Sequence, residues 1–405
     1  MLNVFYCFST VWSMILILYS IGLSELCVPL DPKLLLFLLF IIIITFILGK
    51  KFDKYFKFIK LEENPHKTSW VTVFLAIYFI LEMLYAHQIP LLNVLRGQSF
   101  LGYTGIPILN VLFSAFSIFY SIYLSYLYAC FKRRKELIEF LVILLYFLLL
   151  VQRQNIFICI MFFINNLFAE RRSNENNLSA KKKILAVLIG VLILSIVLYI
   201  FGIMGNMRYG TWEWNDSSMI TTLGKMSDSY PNWLPKEYFW SYLYLVSPLV
   251  NLNANVMLPL RVNLFNYLME FIPELIRNNL FVSFHKISIY LPVTSLNAST
   301  AYSRSYIFEG FFGMLLMYGV QITLCIILLL TTYNRNRRYF VVSCNVALYF
   351  LVFSFFDNTI VYSTSALMLI FSLFSSVNFV IKRKNNNFYR NYNKNINKGD
   401  IDFEK

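Results

Sequence analysis

The chain has 405 residues, 58% of them hydrophobic and only 14% charged, with a mean hydropathy of +0.61. Soluble domains are about 45–50% apolar and about 25% charged, so a string of soluble domains is excluded and a polytopic membrane protein is the default class. The net charge of +14 points to nucleic acid only if the basic residues gather on one soluble surface, and along this chain they instead punctuate apolar runs.

Each span needs about 20 residues to cross about 30 Å of hydrocarbon. In chain order the apolar runs fall at 4–22, 34–49, 69–86 and 106–130, then at 184–204, 306–330, 339–356 and 360–381. The stretch 137–169 differs. As one helix it would be roughly 50 Å long, and it would put strong basic clusters on both faces of the membrane. A hairpin of two short limbs removes both problems, with a turn at Gln152-Arg153-Gln154-Asn155 lying below the outer interface. A guanidinium at that depth is costly unless it is paired or meets an anion.

With the hairpin there are ten spans in a range of ten to twelve, and the basic clusters set their direction. Lys50 to Lys67, Lys132 to Lys135, Arg171 to Lys183, Arg335 to Arg338 and the tail after Lys382 hold 25 of the 35 Lys and Arg. All lie on one side if both termini are cytoplasmic, as the positive-inside rule requires. The predicted organisation is an N-terminal transmembrane bundle over 1–204, an extracytoplasmic loop region over 205–303, C-terminal transmembrane helices over 304–381, and a disordered Asn/Lys-rich tail over 382–405. The first span begins almost at Met1 without a basic leader, which reads as a retained anchor. The six Cys sit in or beside apolar runs without paired spacing, which indicates neither disulfides nor a metal site.

The loop region has its own composition. It holds four of the six Trp, including Trp212 and Trp214, and Tyr238 stands among further aromatics. Such faces over polar neighbours suit sugar rings, although a membrane aromatic belt has a similar make-up. Residues 258–280 predict one amphipathic helix lying in the outer interface, bent at Pro273. Asn263, Asn266, Glu270, Glu274 and Arg277 form its polar face. A run from Tyr238 to Leu252, interrupted by Pro248 and several Asn, predicts a short re-entrant segment.

Charges at costly depths are the functional candidates. Glu82 lies within the third span, Arg153 at the hairpin tip and Arg208 directly after the seventh. Arg304 opens the eighth, with Glu309 one turn deeper, and Asp357 closes the ninth. Arg96, Arg153, Arg208, Arg261, Arg277 and Arg304 all face outward, where positive charge is disfavoured. Arginine offers a planar fork matched to phosphate, so this pattern points to an anionic lipid headgroup; internal pairing with acids is the alternative. His285 is the single His of the loop region and a candidate base. No Gly-rich phosphate loop, CxxC pair or HExxH occurs, and the one DxD, Asp400-Ile401-Asp402, falls in the tail. No cofactor or metal is therefore expected.

These residues resemble the bacterial O-antigen and capsule repeat-unit polymerases, the Wzy family, over most of the chain. The resemblance rests on span number, the long outer loop and several short patterns. Glu82 is followed by Ile89-Pro90-Leu91-Leu92 and Gly105-Ile106-Pro107. Gln152-Arg153-Gln154, Gly205-Asn206-Met207-Arg208, Tyr244-Leu245-Val246-Ser247-Pro248 with Asn251, and the run from Tyr306 to Gly313 complete them. Some members carry Arg with Gly eleven positions on, and no Arg here does, so the choice of arginine stays open.

The resemblance implies a fold like the GT-C lipid-sugar transferases. It implies a metal-independent transfer, at the outer leaflet of the bacterial inner membrane, of a growing glycan from undecaprenyl diphosphate to a fresh lipid-linked repeat unit. A chain-length regulator protein is the implied partner. In that reaction Arg153, Arg208 and Arg304 would bind diphosphate, with Glu82 or Glu309 holding an arginine or assisting the acceptor hydroxyl. Arg96, Arg261, Arg277 and His285 would contribute to substrate binding, and Trp212, Trp214 and Tyr238 would stack on sugars. An O-antigen ligase shares this plan with a different acceptor. A repeat-unit flippase would show short loops throughout and two-fold symmetry.

Overall fold

The computed structural model describes residues 2–61, 68–95, 105–174, 180–208, 216–281, 287–335 and 337–375. Among them the chain is helical, with a single isolated bridge between Ser24 and Met226. The long helices are α1 (Val4–Ile21), α2 (Pro32–Phe52), α3 (Thr68–Ala86), a short α4 (Pro90–Leu95), α5 (Leu109–Phe131), α6 (Arg134–Leu149), α7 (Arg153–Asn174) and α8 (Ala180–Arg208). A short α9 (Ser218–Leu223), a long α10 (Tyr238–Val256), short α11 (Leu264–Met269) and α12 (Glu274–Leu280) follow. The chain then runs through α13 (Tyr302–Arg335) and α14 (Arg337–Val352) to α15 (Ser363–Ser375).

Local chemistry fixes the ends. Asn3 caps α1 by accepting from Phe5, and Gly22 closes it in the left-handed conformation, donating to Tyr19. Asp31 caps α2 by accepting from Lys33 and Leu34, with Pro32 at the first helical position and Lys50 and Lys51 in the last turn, where they meet the negative helix end.

Among the described residues six helices are long and apolar enough to cross a membrane: α1, α2, α3, α5, α8 and α13. Their outward faces carry Ile17, Leu36, Phe40, Ile43, Phe74, Ile77 and Leu84 in the open. No water-soluble surface tolerates such a band, and this is a polytopic helical membrane protein. The core where α1, α5, α7, α13 and α14 meet is built on Trp12, Phe8, Tyr126, Phe162, Tyr302 and Phe340.

Among the described residues, contacts at one end join the start of α1 to the end of α2, the end of α5 to that of α7, and the 53–55 turn to the end of α13. Asn3 donates to the Gly49 carbonyl (2.8 Å), Lys132 pairs with Glu170 (3.0 Å), and the Tyr55 and Tyr333 rings meet at 4.8 Å. At the opposite end Asp31 donates its N–H to Asn253, Ala301 to the Ser354 carbonyl, and Phe157 of α7 meets Phe353. We call these the basic end and the loop end.

The hairpin over 137–169 is present, and its details differ from expectation. The turn comes earlier, at Leu150–Val151–Gln152, with Val151 at φ +57°, and Arg153 to Asn155 already belong to α7. The limbs are unequal at 16 and 22 residues, because α7 continues past the apolar run through Glu170, Arg171 and Arg172.

Two further expectations are corrected. The predicted single helix over 258–280 is two short helices, broken across 270–273 where Pro273 precedes α12, since a proline without an N–H cannot continue the ladder. The predicted interruption of 238–252 is absent: α10 is one buried helix with Pro248 inside it. Asn251 and Asn253 do not break it because their amides bond outside the helix. Asn251 donates to the carbonyls of Leu296 and Ala298, and Asn253 to Pro29.

A buried amide chain ties α5, α7 and α14. Asn165 donates to Asn345 (2.7 Å), Asn345 to Asn166 (2.8 Å), and Asn166 to Ser125 (2.7 Å). Asn345→Leu takes the acceptor from the Asn165 NH2 and the donor from the Asn166 Oδ1. It is expected to cost about 1–2 kcal/mol, read as a lowered melting midpoint of the purified protein in detergent.

Candidate functional site

The predicted site residues do not form a single group. Those brought together lie at the loop end, where α11 and α12 dock on the segment joining α14 to α15. Asn263 caps α11 by accepting from Asn266. The turn between the two short helices is pinned by three bonds: Asn358 to the Glu270 carbonyl (2.9 Å), Glu274 N–H to the Val361 carbonyl (2.8 Å) and Leu275 N–H to Ser363 (2.8 Å). A fourth links the Arg261 N–H to the Ile307 carbonyl of α13 (2.8 Å).

This docking buries charge. Glu270 and Arg277 are each 1% exposed, and Arg304 on α13 is 18% exposed at its side chain. The Glu270 carboxylate stands between two guanidiniums, 3.9 Å from Arg277 and 3.6 Å from Arg304, with the Asn358 amide at 3.5 Å. Arg277 also reaches Glu274 (3.4 Å) and the Met269 carbonyl (3.4 Å). Arg304 has Glu270 as its one ion-pair partner among the described residues, and its Nε there makes no hydrogen bond. Two arginines thus share one buried carboxylate, and half-exposed Glu274 adds a second negative charge beside Arg277.

Below this cluster α13 is kinked. Glu309 (φ −132°, ψ 15°) and Gly310 (φ +59°, ψ −148°) are not helical. The Gly310 conformation lies where side chains are disfavoured. Tyr267 donates to the Gly313 carbonyl across the kink (2.9 Å). Burial, and then the nearby Glu309 charge, pushes the Tyr267 phenol up to about 12, so it stays a neutral donor at physiological pH. Beside the cluster Asp357 accepts from Tyr362. Burial, followed by the Asp357 charge, raises that phenol well above its ordinary value.

The other predicted residues stand apart. Glu82 is completely buried in α3, accepts from Tyr146 of α6, and contacts no arginine among the described residues. A partnership with Arg96 or Arg208, whose side chains lie outside the described residues, falls outside this description. The close approach of Gly105 to its carboxylate helps enclose it. Arg153 is exposed at the start of α7 and forms no ion pair among the described residues. Arg261 is exposed and, among the described residues, tethered through its backbone N–H. Tyr238 turns to α8, bonding Ser195 (2.7 Å) and packing on Tyr199, so its ring is engaged within the bundle. Arg208 ends α8, and its side chain lies outside the described residues, as do Arg96, Trp212, Trp214 and His285.

Glu270 and Asn358 are the residues that sequence reasoning left without a role. Their signal was present in part, since Glu270 and Arg277 both fall on the polar face read from 258–280. Among the described residues no group of three or more His, Cys, Asp or Glu is placed to hold a metal ion. No family model, curated protein or solved structure matches the chain.

Proposed function

We propose that this protein polymerises lipid-linked oligosaccharide repeat units at the outer leaflet, with the loop end facing outward and both termini in the cytoplasm. The observation that carries this reading is the buried pair of arginines around Glu270, at the end of the bundle remote from the basic clusters. Positive-inside topology puts the loop end outside. Arginine buried there at the cost of desolvation needs a purpose, and a lipid diphosphate supplies one.

In the transfer, the bond from the donor's anomeric carbon to the diphosphate oxygen breaks as a bond to the acceptor hydroxyl oxygen forms. Negative charge grows on the departing diphosphate, and Arg304, the member of the pair with solvent access, receives it. The acceptor proton goes to a nearby carboxylate. Glu309, half-buried at the kink, suits this role better than Glu82, which is enclosed. Arg153, exposed at the hairpin tip, serves as a second diphosphate contact.

Deleting the gene and sizing the surface glycan tests this. A polymerase gives surface molecules carrying one repeat unit. Long chains held on the lipid carrier identify a ligase instead, and complete absence of transferred units identifies a flippase.

A further inference from the structure

We propose that Glu270 is the resident counter-anion of a phosphate site centred on Arg304, and that a phosphate-bearing ligand binds by taking the place of the Glu270 carboxylate on that guanidinium. This rests on the reading of the cluster as a diphosphate site and adds how the empty site is kept neutral and what the ligand must displace.

The asymmetry of the two arginines leads to this. Arg277 is enclosed, and besides Glu270 it is held by Glu274 and by the Met269 carbonyl. It lies too deep for a ligand and is anchored without needing one. Arg304 is the more open of the two, touches one carboxylate at 3.6 Å and leaves its Nε without a hydrogen bond. A charge-assisted N–H···O bond closes to about 2.7–2.9 Å, so the Arg304–Glu270 contact is a loose one. A phosphate oxygen can reach Arg304 in the two-pronged geometry that Glu270 does not adopt.

Displacement does not strand Glu270. A buried carboxylate without a partner is strongly disfavoured, but Glu270 keeps Arg277 at 3.9 Å and the Asn358 amide at 3.5 Å. Asn358 also fixes the Glu270 backbone carbonyl, so the carboxylate can swing towards Arg277 while the turn between α11 and α12 stays docked. One glutamate between two arginines is thus a two-position arrangement, on Arg304 when the site is empty and on Arg277 when it is filled. Glu270 is a positioning residue here, acting through Arg304.

The test uses the full-length protein in detergent, titrated calorimetrically with inorganic pyrophosphate at fixed ionic strength. Glu270→Gln keeps the shape and removes the competing charge. It is expected to bind pyrophosphate roughly tenfold more tightly than the wild type, as loss of one nearby like charge predicts. Arg304→Gln is expected to abolish binding. Equal or weaker binding by Glu270→Gln overturns the proposal, as does unchanged binding by Arg304→Gln or no binding by any form. If Glu270→Gln does not fold, Glu270→Asp, which draws the carboxylate back from Arg304, is expected to tighten binding in the same direction, and a failure to do so counts equally against it. The polymerase reading fails separately: normal chain length in the gene deletion removes the reaction, while the pyrophosphate titrations still decide whether Glu270 guards an anion site.

Discussion

Arg277→Met is expected to destabilise the folded protein by about 3 kcal/mol, the lower end of what removing one partner of a buried ion pair costs. The side chain is 1% exposed and borders a carboxylate that is equally enclosed. Methionine fills much of the volume, so the loss is electrostatic: Glu270 loses one of the two guanidiniums beside it, and Glu274 loses its contact with Arg277. The cost stays at the lower end because Arg304 remains within 3.6 Å of Glu270. Replacing both residues, as Arg277→Met with Glu270→Leu, removes that charge pair but leaves Arg304 without the carboxylate it meets at 3.6 Å, and is expected to recover only part of the loss. Melting midpoints of the purified variants decide this. A single variant as stable as the wild type, or a double variant less stable than the single, contradicts the account of the cluster.

Arg304→Gln is expected to do the reverse, leaving stability near the wild type while lowering polymerisation about 10²–10³-fold, the loss seen when one donor to a developing anion is removed. Glu270 then still has Arg277 and Asn358, so no buried charge is stranded. Glutamine keeps a hydrogen-bond donor but neither the charge nor the two-pronged reach to phosphate. Complementing a deletion strain with this variant is expected to give single repeat units on the surface at normal protein levels. Normal chain lengths remove Arg304 from the site. A large fall in melting midpoint would show instead that Arg304 is a strut.

The helical plan was legible because a bilayer imposes a simple rule on sequence. Apolar runs of fixed length, separated by Lys and Arg, located α1, α2, α3, α5, α8, α13 and the hairpin of α6 and α7. Hydropathy does not encode the break at 270–273, which depends on Pro273 and on a docking partner, the 357–363 segment, some ninety residues later. Nor does it encode the unbroken course of α10. Asn251 and Asn253 look like interruptions in a one-dimensional reading, yet their amides find carbonyls at residues 296 and 29. The site was half legible for the same reason. Costly charge flagged Arg277 and Arg304, but the carboxylate that joins them, Glu270, looked like one more polar residue on an interfacial helix. Its significance appears only when the turn is folded against α13 and Asn358. Glu82 shows the converse: a charge at the right depth, enclosed by Tyr146 and Gly105, with no arginine beside it among the described residues.

The central claim is that this chain joins lipid-linked repeat units through a loop-end arginine. Its most direct measurement is reconstitution of the purified full chain into vesicles loaded with undecaprenyl-diphosphate-linked repeat units, with products sized on a gel. A ladder of increasing length from the wild type, absent with Arg304→Gln, is the expected result. Wild-type vesicles that return only single units, or equal ladders from both proteins, would contradict it.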